Sequence, residues 1–281
     1  INLIDTPGHV DFAIEVERSL RVLDGVVAVF DAAVGVQAQS YTVLKMAKKA
    51  RTPVIAFINK MDKPNADWNK AVSSIANKLK VQPVLVQLPL LSDHGEFIGM
   101  LDVVRQCSIT NCGKHGEELR VEPFDALPKH VQDTLRDAKH DLIELLSGRD
   151  DDFATHLIEA LDRADGDEVK AETFITPEQL IKSLRREVLK GLASVDAVGG
   201  AHNHLDGLPS LLPVLFGAAR RNLGVQPLMD AVVDYLPSPL DRPALDGFTA
   251  GGDVIPVPSP LAPINVGMTF KVMFFPDPAT K

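Results

Sequence analysis

The stretch that decides the fold is INLIDTPGH, residues 1–9. Its apolar start, Ile1–Ile4, has the length of a strand, and Asp5 follows it directly. At the carboxyl edge of a parallel sheet, such a carboxylate can hold Mg²⁺, usually through water. The bare backbone of Gly8 can approach a terminal phosphate closely. DTPG therefore predicts one wall of a nucleotide site, although the same residues on their own also fit a capped turn.

A second motif follows another apolar run. Pro53–Ile58 leads into NKMD, which is Asn59, Lys60, Met61 and Asp62. The Asp62 carboxylate can accept hydrogen bonds from the N1–H and the exocyclic amine of guanine, a pattern that adenine cannot offer. Asn59 can tie neighbouring loops, and the alkyl stem of Lys60 can lie along the base. N-K-x-D is common by chance, but its position two strands after DTPG favours a guanine-nucleotide fold.

The pattern between these motifs predicts an α/β domain. From Ile1 to about Gln87, short apolar runs alternate with amphipathic stretches of helical period. Nearly continuous apolar runs are typical of strands covered on both faces. We therefore expect a doubly wound, mostly parallel sheet. Its strands are predicted at Ile1–Ile4, Gly25–Phe30, Pro53–Ile58 and Pro83–Leu88.

An insertion interrupts this pattern after Pro89. Strands are predicted at Phe97–Val104 and Gln106–Thr110, followed by helices near Pro128–Ser147, Asp151–Arg163 and Pro177–Leu192. Thr176 and Gln179 form a capping-box pattern before the last helix. The α/β pattern returns with a strand at Leu211–Phe216 and a helix at Val225–Leu236.

Composition excludes several classes of protein. The 281 residues are 45% hydrophobic and 24% charged, as in ordinary folded domains. No run of 18 apolar residues predicts a membrane span. The net charge of −9 argues against a generic basic nucleic-acid binder, but it does not exclude a local RNA contact.

Cysteines and histidines offer only weak metal signals. Cys107 and Cys112 are too few for a disulfide scaffold, and we interpret them as reduced thiols. His202 and His204 could bind a metal, but this pair is a weak signal. Residues 193–209 also hold Gly199, Gly200 and Gly207, and we interpret them as a surface loop.

The motifs together resemble the translational GTPases, specifically the elongation factor G family. The resemblance covers nearly the whole chain, insertion included. It is carried by Asp5–Phe12, Glu15–Gly25, Gly35–Gln37, Asn59–Lys63, Gly224–Leu228, Tyr235–Pro239 and Phe270–Val272. Further stretches are closer to the mitochondrial paralogue that acts in ribosome recycling: Val27–Ala32, Leu79–Lys80 and Gln87–Pro89.

The resemblance implies a division of the chain. Residues 1–87 and 209–237 would form a P-loop-type GTPase domain, and residues 88–208 an inserted α+β subdomain. Residues 238–263, rich in proline, would be a linker. Residues 264–281 would begin a second domain, a β-barrel.

The resemblance also implies roles for the first motif. Asp5 would be the Mg²⁺-side carboxylate, Gly8 the γ-phosphate sensor and His9 the catalytic residue that orients the attacking water. Thr6 and Pro7 would complete this nucleotide-binding loop.

Guanine recognition is implied for two further motifs. Asn59, Lys60, Met61 and Asp62 would read the base. The motif that is Ser-Ala in most relatives aligns with Ala218-Ala219, and Gly217 before it would complete this nucleotide-binding loop. The Ala219 N–H would bind the guanine oxygen, while Ala218 lacks the hydroxyl that supports the loop.

One family motif is missing. No G-x-x-x-x-G-K-[ST] occurs, since the only Gly-Lys pair, Gly113-Lys114, is followed by His115. Together with the start at Ile1 rather than Met, this predicts a piece of a longer protein whose phosphate-binding loop and first switch precede Ile1. We expect the piece to hold half a nucleotide site and to be inactive alone.

The expected function is ribosome-dependent GTP hydrolysis in translocation or ribosome recycling. The cofactors would be GTP or GDP and Mg²⁺. The partners would be ribosomal RNA and proteins, with recycling or assembly factors as further candidates. The location would be mitochondrial, or otherwise cytoplasmic. The alternative is a non-hydrolysing module bound to a ribosome or an assembly particle, which the missing loop and Ala218 favour and His9 disfavours.

Overall fold

The computed structural model describes residues 1–6, 13–113, 116–193, 210–242, 246–248 and 251–257, and the single residues Leu261, Thr269 and Val272. The strands in this part of the chain are β1 (Val26–Asp31), β2 (Val54–Asn59), β3 (Gln82–Leu85), β4 (Gln87–Leu91), β5 (Phe97–Asp102), β6 (Cys107–Cys112), β7 (Glu118–Pro123), β8 (Leu211–Phe216), β9 (Asp246–Phe248) and β10 (Val254–Pro256). The α-helices are α1 (Ala13–Leu20), α2 (Ala38–Lys49), α3 (Trp68–Leu79), α4 (Lys129–Ser147), α5 (Asp151–Arg163), α6 (Glu168–Phe174), α7 (Pro177–Ala193) and α8 (Val225–Tyr235).

A parallel sheet organises the α/β part. Its order is β1-β2-β8-β3, and each neighbouring pair is parallel. Its strands are largely apolar, as is typical of strands covered on both faces, and β2 and β8 are buried along most of their length, whereas Val29 of β1 is 59% exposed. Ile55, Phe57 and Leu215 pack on one face, while Ile58 and Val214 pack on the other. The predicted doubly wound parallel sheet is confirmed.

The insertion is an α+β unit that shares its core with this sheet. Strands β4 to β7 form an antiparallel sheet in sequence order, and helices α4 to α7 follow it. Leu135 of α4 and Leu180 of α7 are fully buried in the cluster that contains Ile55 and Phe57. The insertion therefore packs against the parallel sheet instead of standing apart from it. Its helices join this cluster, and Phe97 and Met100 of β5 join the cluster on the other face.

Local signals located most elements correctly. Helix α5 has the predicted bounds, Asp151–Arg163. The capping box before α7 is present, because Thr176 N donates to Gln179 Oε1 at 2.9 Å and Gln179 N donates to Thr176 Oγ1 at 3.3 Å. Two elements of the insertion were not predicted. β7 is an exposed edge strand with polar and apolar residues, and α6 is too short for a clear helical period.

Two predicted strands are wrong. The run Pro83–Leu88 is not one strand, since β3 joins the parallel sheet and β4 joins the antiparallel one, with Val86 between them. Residues 1–6 contain no strand, and Ile1 and Leu3 are 80% and 87% exposed. An apolar run becomes a strand only where a neighbouring strand pairs with it, and in the described chain β1 is paired with β2 alone.

The end of the chain differs from a plain extended linker. Within residues 238–263, β9 and β10 form a short antiparallel hairpin. The predicted surface loop lies outside the described residues, except for Ala193, which ends α7. The predicted start of a β-barrel lies outside them too, apart from Thr269 and Val272. Within the described ranges, no helix is both long and apolar enough to span a bilayer.

The two thiols lie in different surroundings. Cys107 is buried in β6, whereas Cys112 is exposed, and both are free. Burial and the nearby Asp102 carboxylate raise the pKa of Cys107 to about 11, so this thiol stays protonated near neutral pH. Among the described residues, no cluster of three His, Cys, Asp or Glu side chains could hold a metal.

Candidate nucleotide-binding site

The candidate site lies at the carboxyl edge of the parallel sheet. Asp31 ends β1 and Asn59 ends β2, and the two residues are register partners. Lys60 turns the chain away with a left-handed backbone, φ 65°. A cleft of about 220 Å³ opens here, lined by Val29, Phe30, Asp31, Gly35, Gln37, Ser40, Asn59 and Lys60. This is the edge at which open parallel sheets bind ligands.

Asn59 joins the two loops that were predicted to read guanine. Its Oδ1 accepts hydrogen bonds from Lys60 N at 2.8 Å and from Ala219 N at 2.9 Å. Met61 N donates to Gly217 O at 3.1 Å, which adds a backbone contact between the same loops. The structure therefore brings the NKMD loop and the loop after β8 together, across 160 positions of sequence.

The Ala219 N–H has a different partner from the one expected. It donates to Asn59 and not to an open position facing the cleft. To bind a guanine oxygen, Ala219 would have to share or exchange this hydrogen bond. The contact between Ala219 and guanine thus stays a prediction. Asn59 Oδ1 and the guanine oxygen would compete for the same N–H.

The loop after β8, residues 217–224, is named here the base loop. Ala218 and Leu223 exchange two backbone hydrogen bonds, of 3.0 and 3.2 Å, that close it. Gly217 has no room for a side chain, because a Cβ would lie 2.5 Å from the ring of Phe57. Ala218 is fully buried. The loop is therefore closed by its own backbone, without the hydroxyl that a serine at position 218 would supply.

Asp62 already has a cationic partner. Its Oδ2 lies 3.3 Å from Nε of Arg221, a base-loop residue whose side chain is 66% exposed. A carboxylate oxygen has more than one acceptor position, so a guanidinium on one oxygen leaves others for a base. Arg221 is a candidate site residue that sequence reasoning missed. Its position three residues beyond Ala218 gave no local signal for this ion pair.

Asp31 is the second residue that the sequence analysis missed. Lys60 Nζ lies 2.6 Å from Asp31 Oδ2, and Lys63 Nζ lies 3.9 Å from it. Partial burial alone would raise the pKa of Asp31, but the Lys60 hydrogen bond, the Ala33 N–H and the two lysine charges lower it overall. Asp31 ends an apolar strand, the same signal that pointed to Asp5.

The first motif is only partly described. Asp5 is exposed and Thr6 is half-buried, in a segment without a strand. Pro7, Gly8 and His9 lie outside the described residues, so their expected roles stay predictions. Mg²⁺ is commonly held by one or two carboxylates together with substrate phosphates. The exposed carboxylate of Asp5 would hold Mg²⁺ in that way, through water and beside nucleotide oxygens, and this role stays a prediction.

Comparisons with known proteins find relatives over most of the chain. Residues 1–238 match the family model of the elongation factor Tu GTP binding domain. Elongation factor G of Fervidobacterium nodosum is 41% identical over 277 residues, which cover 98% of this chain and 35% of that protein. Elongation factor G of Thermotoga petrophila is 38% identical over 256 residues, covering 91% of this chain and 32% of the relative. The chain thus spans about a third of the length of these curated relatives.

A solved structure shares the fold. A crystal structure of a protein from Thermus thermophilus superimposes with a TM-score of 0.64 at 21% identity, covering 85% of this chain and 31% of that one. The match to the family model runs from the DTPG motif through the insertion and the base loop to Ser238. On this evidence, the chain belongs to the translational GTPase family, through its elongation factor Tu GTP binding domain.

Proposed function

We propose that this chain is the guanine-recognising part of a ribosome-dependent GTPase of the elongation factor G type. The observation that supports the proposal most is the bond from Ala219 N to Asn59 Oδ1, with Asp62 and Arg221 paired beside it. These contacts set a carboxylate and two loops at one sheet edge, next to the cleft.

Base recognition would rest on Asp62. Its carboxylate would accept hydrogen bonds from the guanine N1–H and the exocyclic amine, while Arg221 stays on its outer side. The stem of Lys60 would lie along the base, and its ammonium is held by Asp31. Adenine presents an unprotonated N1 to the same carboxylate, so it would be rejected.

Phosphate binding would come from residues beyond this chain. The 281 residues contain no G-x-x-x-x-G-K-[ST] motif, which supplies the backbone N–H groups and the lysine that hold phosphates. We propose that the full-length protein supplies this loop and that the chain alone binds guanine nucleotides weakly.

Hydrolysis would be an in-line attack of water on the γ-phosphate. His9 would orient the water, Gly8 would contact the γ-phosphate and Asp5 would hold Mg²⁺ through water. Bound Mg²⁺ would neutralise charge that develops on the phosphate oxygens. The segment that begins at Asp5 would be ordered by GTP and released after hydrolysis.

The ribosome is the proposed partner because of the elongation factor G relatives and the motifs that resemble them. Ribosome recycling and mitochondrial location stay predictions, since the two relatives described are bacterial. Contacts with recycling or assembly factors also stay predictions.

GTP turnover by the full-length protein, measured with and without ribosomes, tests the proposal. We expect ribosomes to stimulate GTP hydrolysis. Unlabelled GTP, but not unlabelled ATP, should compete with labelled GTP for binding. Tight GTP binding without any stimulated turnover would instead support the non-hydrolysing module. Absence of guanine selectivity would overturn the proposed GTPase function.

A further inference from the structure

The insertion makes a polar contact with the base loop. Asn111 in β6 donates from Nδ2 to Gly116 O at 2.9 Å and to Asn222 O at 3.0 Å. Its Oδ1 accepts from Gly224 N at 3.3 Å. One side-chain amide therefore bonds both its own β6–β7 hairpin and two backbone groups of the base loop.

The contact is close as well as polar. Gly116 has a φ of 67°, and a Cβ on it would lie 2.8 Å from Arg221 O. Its carbonyl oxygen also accepts from Asn222 Nδ2 and from Gln226 Nε2, both at 3.2 Å. The hairpin thus approaches the base loop backbone to backbone, which a side chain at position 116 would prevent.

The orientation of the Asn111 amide is fixed by its partners. Two carbonyl oxygens face its Nδ2 and one N–H faces its Oδ1. Exchanging the amide oxygen and nitrogen would set oxygen against two carbonyl oxygens, and an N–H against an N–H. A carboxylate at position 111 would meet the same two carbonyls without a donor.

Other residues of the base loop contact the residues proposed to read guanine. Ala219 N is bonded to Asn59, and Arg221 is paired with Asp62. The base loop is therefore bonded both to the insertion and to the guanine-reading motif.

From this placement we infer that Asn111 is a positioning residue for guanine recognition, acting through the base loop on Asn59 and Asp62. The inference rests on the proposed function. Its consequence is that a residue of the insertion, remote in sequence from every nucleotide motif, contributes to base selectivity.

Binding of GDP and inosine diphosphate by the full-length protein tests the inference. Inosine diphosphate lacks only the exocyclic amine, so the ratio of the two Kd values reports how well the Asp62 carboxylate is placed. Asn111→Asp keeps the side-chain volume and removes the donors. We expect Asn111→Asp to lower the ratio of the inosine diphosphate Kd to the GDP Kd by about 3- to 10-fold, the effect of one or two hydrogen bonds. The variant should also release GDP faster.

Two further variants keep the test decisive. Thr110→Ala alters the same strand without touching the base loop, and it should leave the ratio unchanged. Asn111→Ala removes the amide and its bonds to Gly116, Asn222 and Gly224 without adding a charge. It should narrow the ratio in the same direction and decides the matter if Asn111→Asp does not fold.

The outcomes separate the two proposals. A wild-type protein that binds GDP no better than ADP would overturn the proposed function itself. Guanine selectivity in the wild type, with an unchanged ratio in a folded Asn111→Asp variant, would overturn the role of Asn111 alone. A narrowed ratio in Thr110→Ala as well would show a general effect of the hairpin and would also overturn it.

Discussion

Nε of Arg221 lies 3.3 Å from Oδ2 of Asp62, so the carboxylate proposed to read guanine is paired with a residue of the base loop. The two residues are brought together by the neighbouring strands β2 and β8. Because the Arg221 side chain is largely exposed, the ion pair itself contributes little to stability. The ion pair matters because it holds the Asp62 carboxylate beside the base loop.

Asp62→Asn should change which base is preferred. Loss of a bidentate pair of hydrogen bonds to a charged group should weaken GTP binding by about 10²–10⁴-fold in the full-length protein. Xanthosine nucleotides carry a carbonyl in place of the guanine amine, and the new amide can donate to it, so they should become the better ligands. Competition binding with GTP and xanthosine triphosphate is the measurement, with Asp93→Asn on an exposed turn as control. An unchanged preference for GTP would contradict the role of Asp62.

His9→Ala should impair turnover and leave binding intact. An orienting group acts mainly in the transition state, so its loss lowers the rate of the chemical step. Single-turnover hydrolysis with ribosomes should fall by about 10²-fold or more. His94→Ala, on an exposed turn, is the matched control. If His9→Ala hydrolyses GTP at the wild-type rate, His9 is structural.

Residues 1–281 alone should bind guanine nucleotides weakly. Three missing charge-assisted phosphate contacts would cost on the order of 5 kcal/mol, or about 10³–10⁴-fold in affinity. Titration with a fluorescent GDP analogue measures this, and neither GTP nor GDP should be hydrolysed even with ribosomes. Submicromolar binding would show that this chain needs no further phosphate loop.

Arg105→Met should destabilise the junction between the insertion and α8. Arg105 donates to the buried Asp102 and, at 2.6 Å, to Asp234 of α8. Removing it leaves the Asp102 carboxylate buried without its cation, at a cost of about 2 kcal/mol or more. Chemical denaturation measures the loss, and Arg120→Met, which breaks an exposed pair with Glu122, should cost less than about 1 kcal/mol.

The same variant should show a defined pH dependence. Burial already raises the pKa of Asp102, although the Arg105 contacts oppose this. Without Arg105 the folded-state pKa rises further above the unfolded value. A carboxyl group with a raised folded-state pKa stabilises the fold below its unfolded-state pKa. This stabilisation is lost as the pH rises through the folded-state pKa. The stability gap between Arg105→Met and wild type should therefore narrow as the solution is acidified, and a constant gap would contradict this.

Sequence reasoning succeeded where the signal is local. The bounds of α5 and the capping box of α7 depend on neighbouring residues, and both are present as expected. The run Pro83–Leu88 and the strand Ile1–Ile4 failed because strand pairing depends on distant partners. Periodicity cannot report which sheet a run will join.

The candidate site divides in the same way. Motifs pointed to Asn59, Asp62 and Ala219 because each lies in a recognisable short sequence, and their roles in base recognition stay predictions. Arg221 and Asn111 were missed because their contacts exist only after the strands assemble. Ala219 was assigned to the base, whereas its N–H donates to Asn59, a competition that no motif reveals.

The order of the parallel sheet constrains when this domain can fold. β8 lies between β2 and β3, yet it follows the entire insertion in the chain. During synthesis β2 and β3 therefore emerge without the strand that separates them. The backbone groups at their facing edges stay unpaired until Leu211–Phe216 has been made. Such long-range pairing is slow and leaves edges open to wrong partners. The nascent chain should thus gain protease resistance in this sheet only after residue 216 has left the ribosomal tunnel.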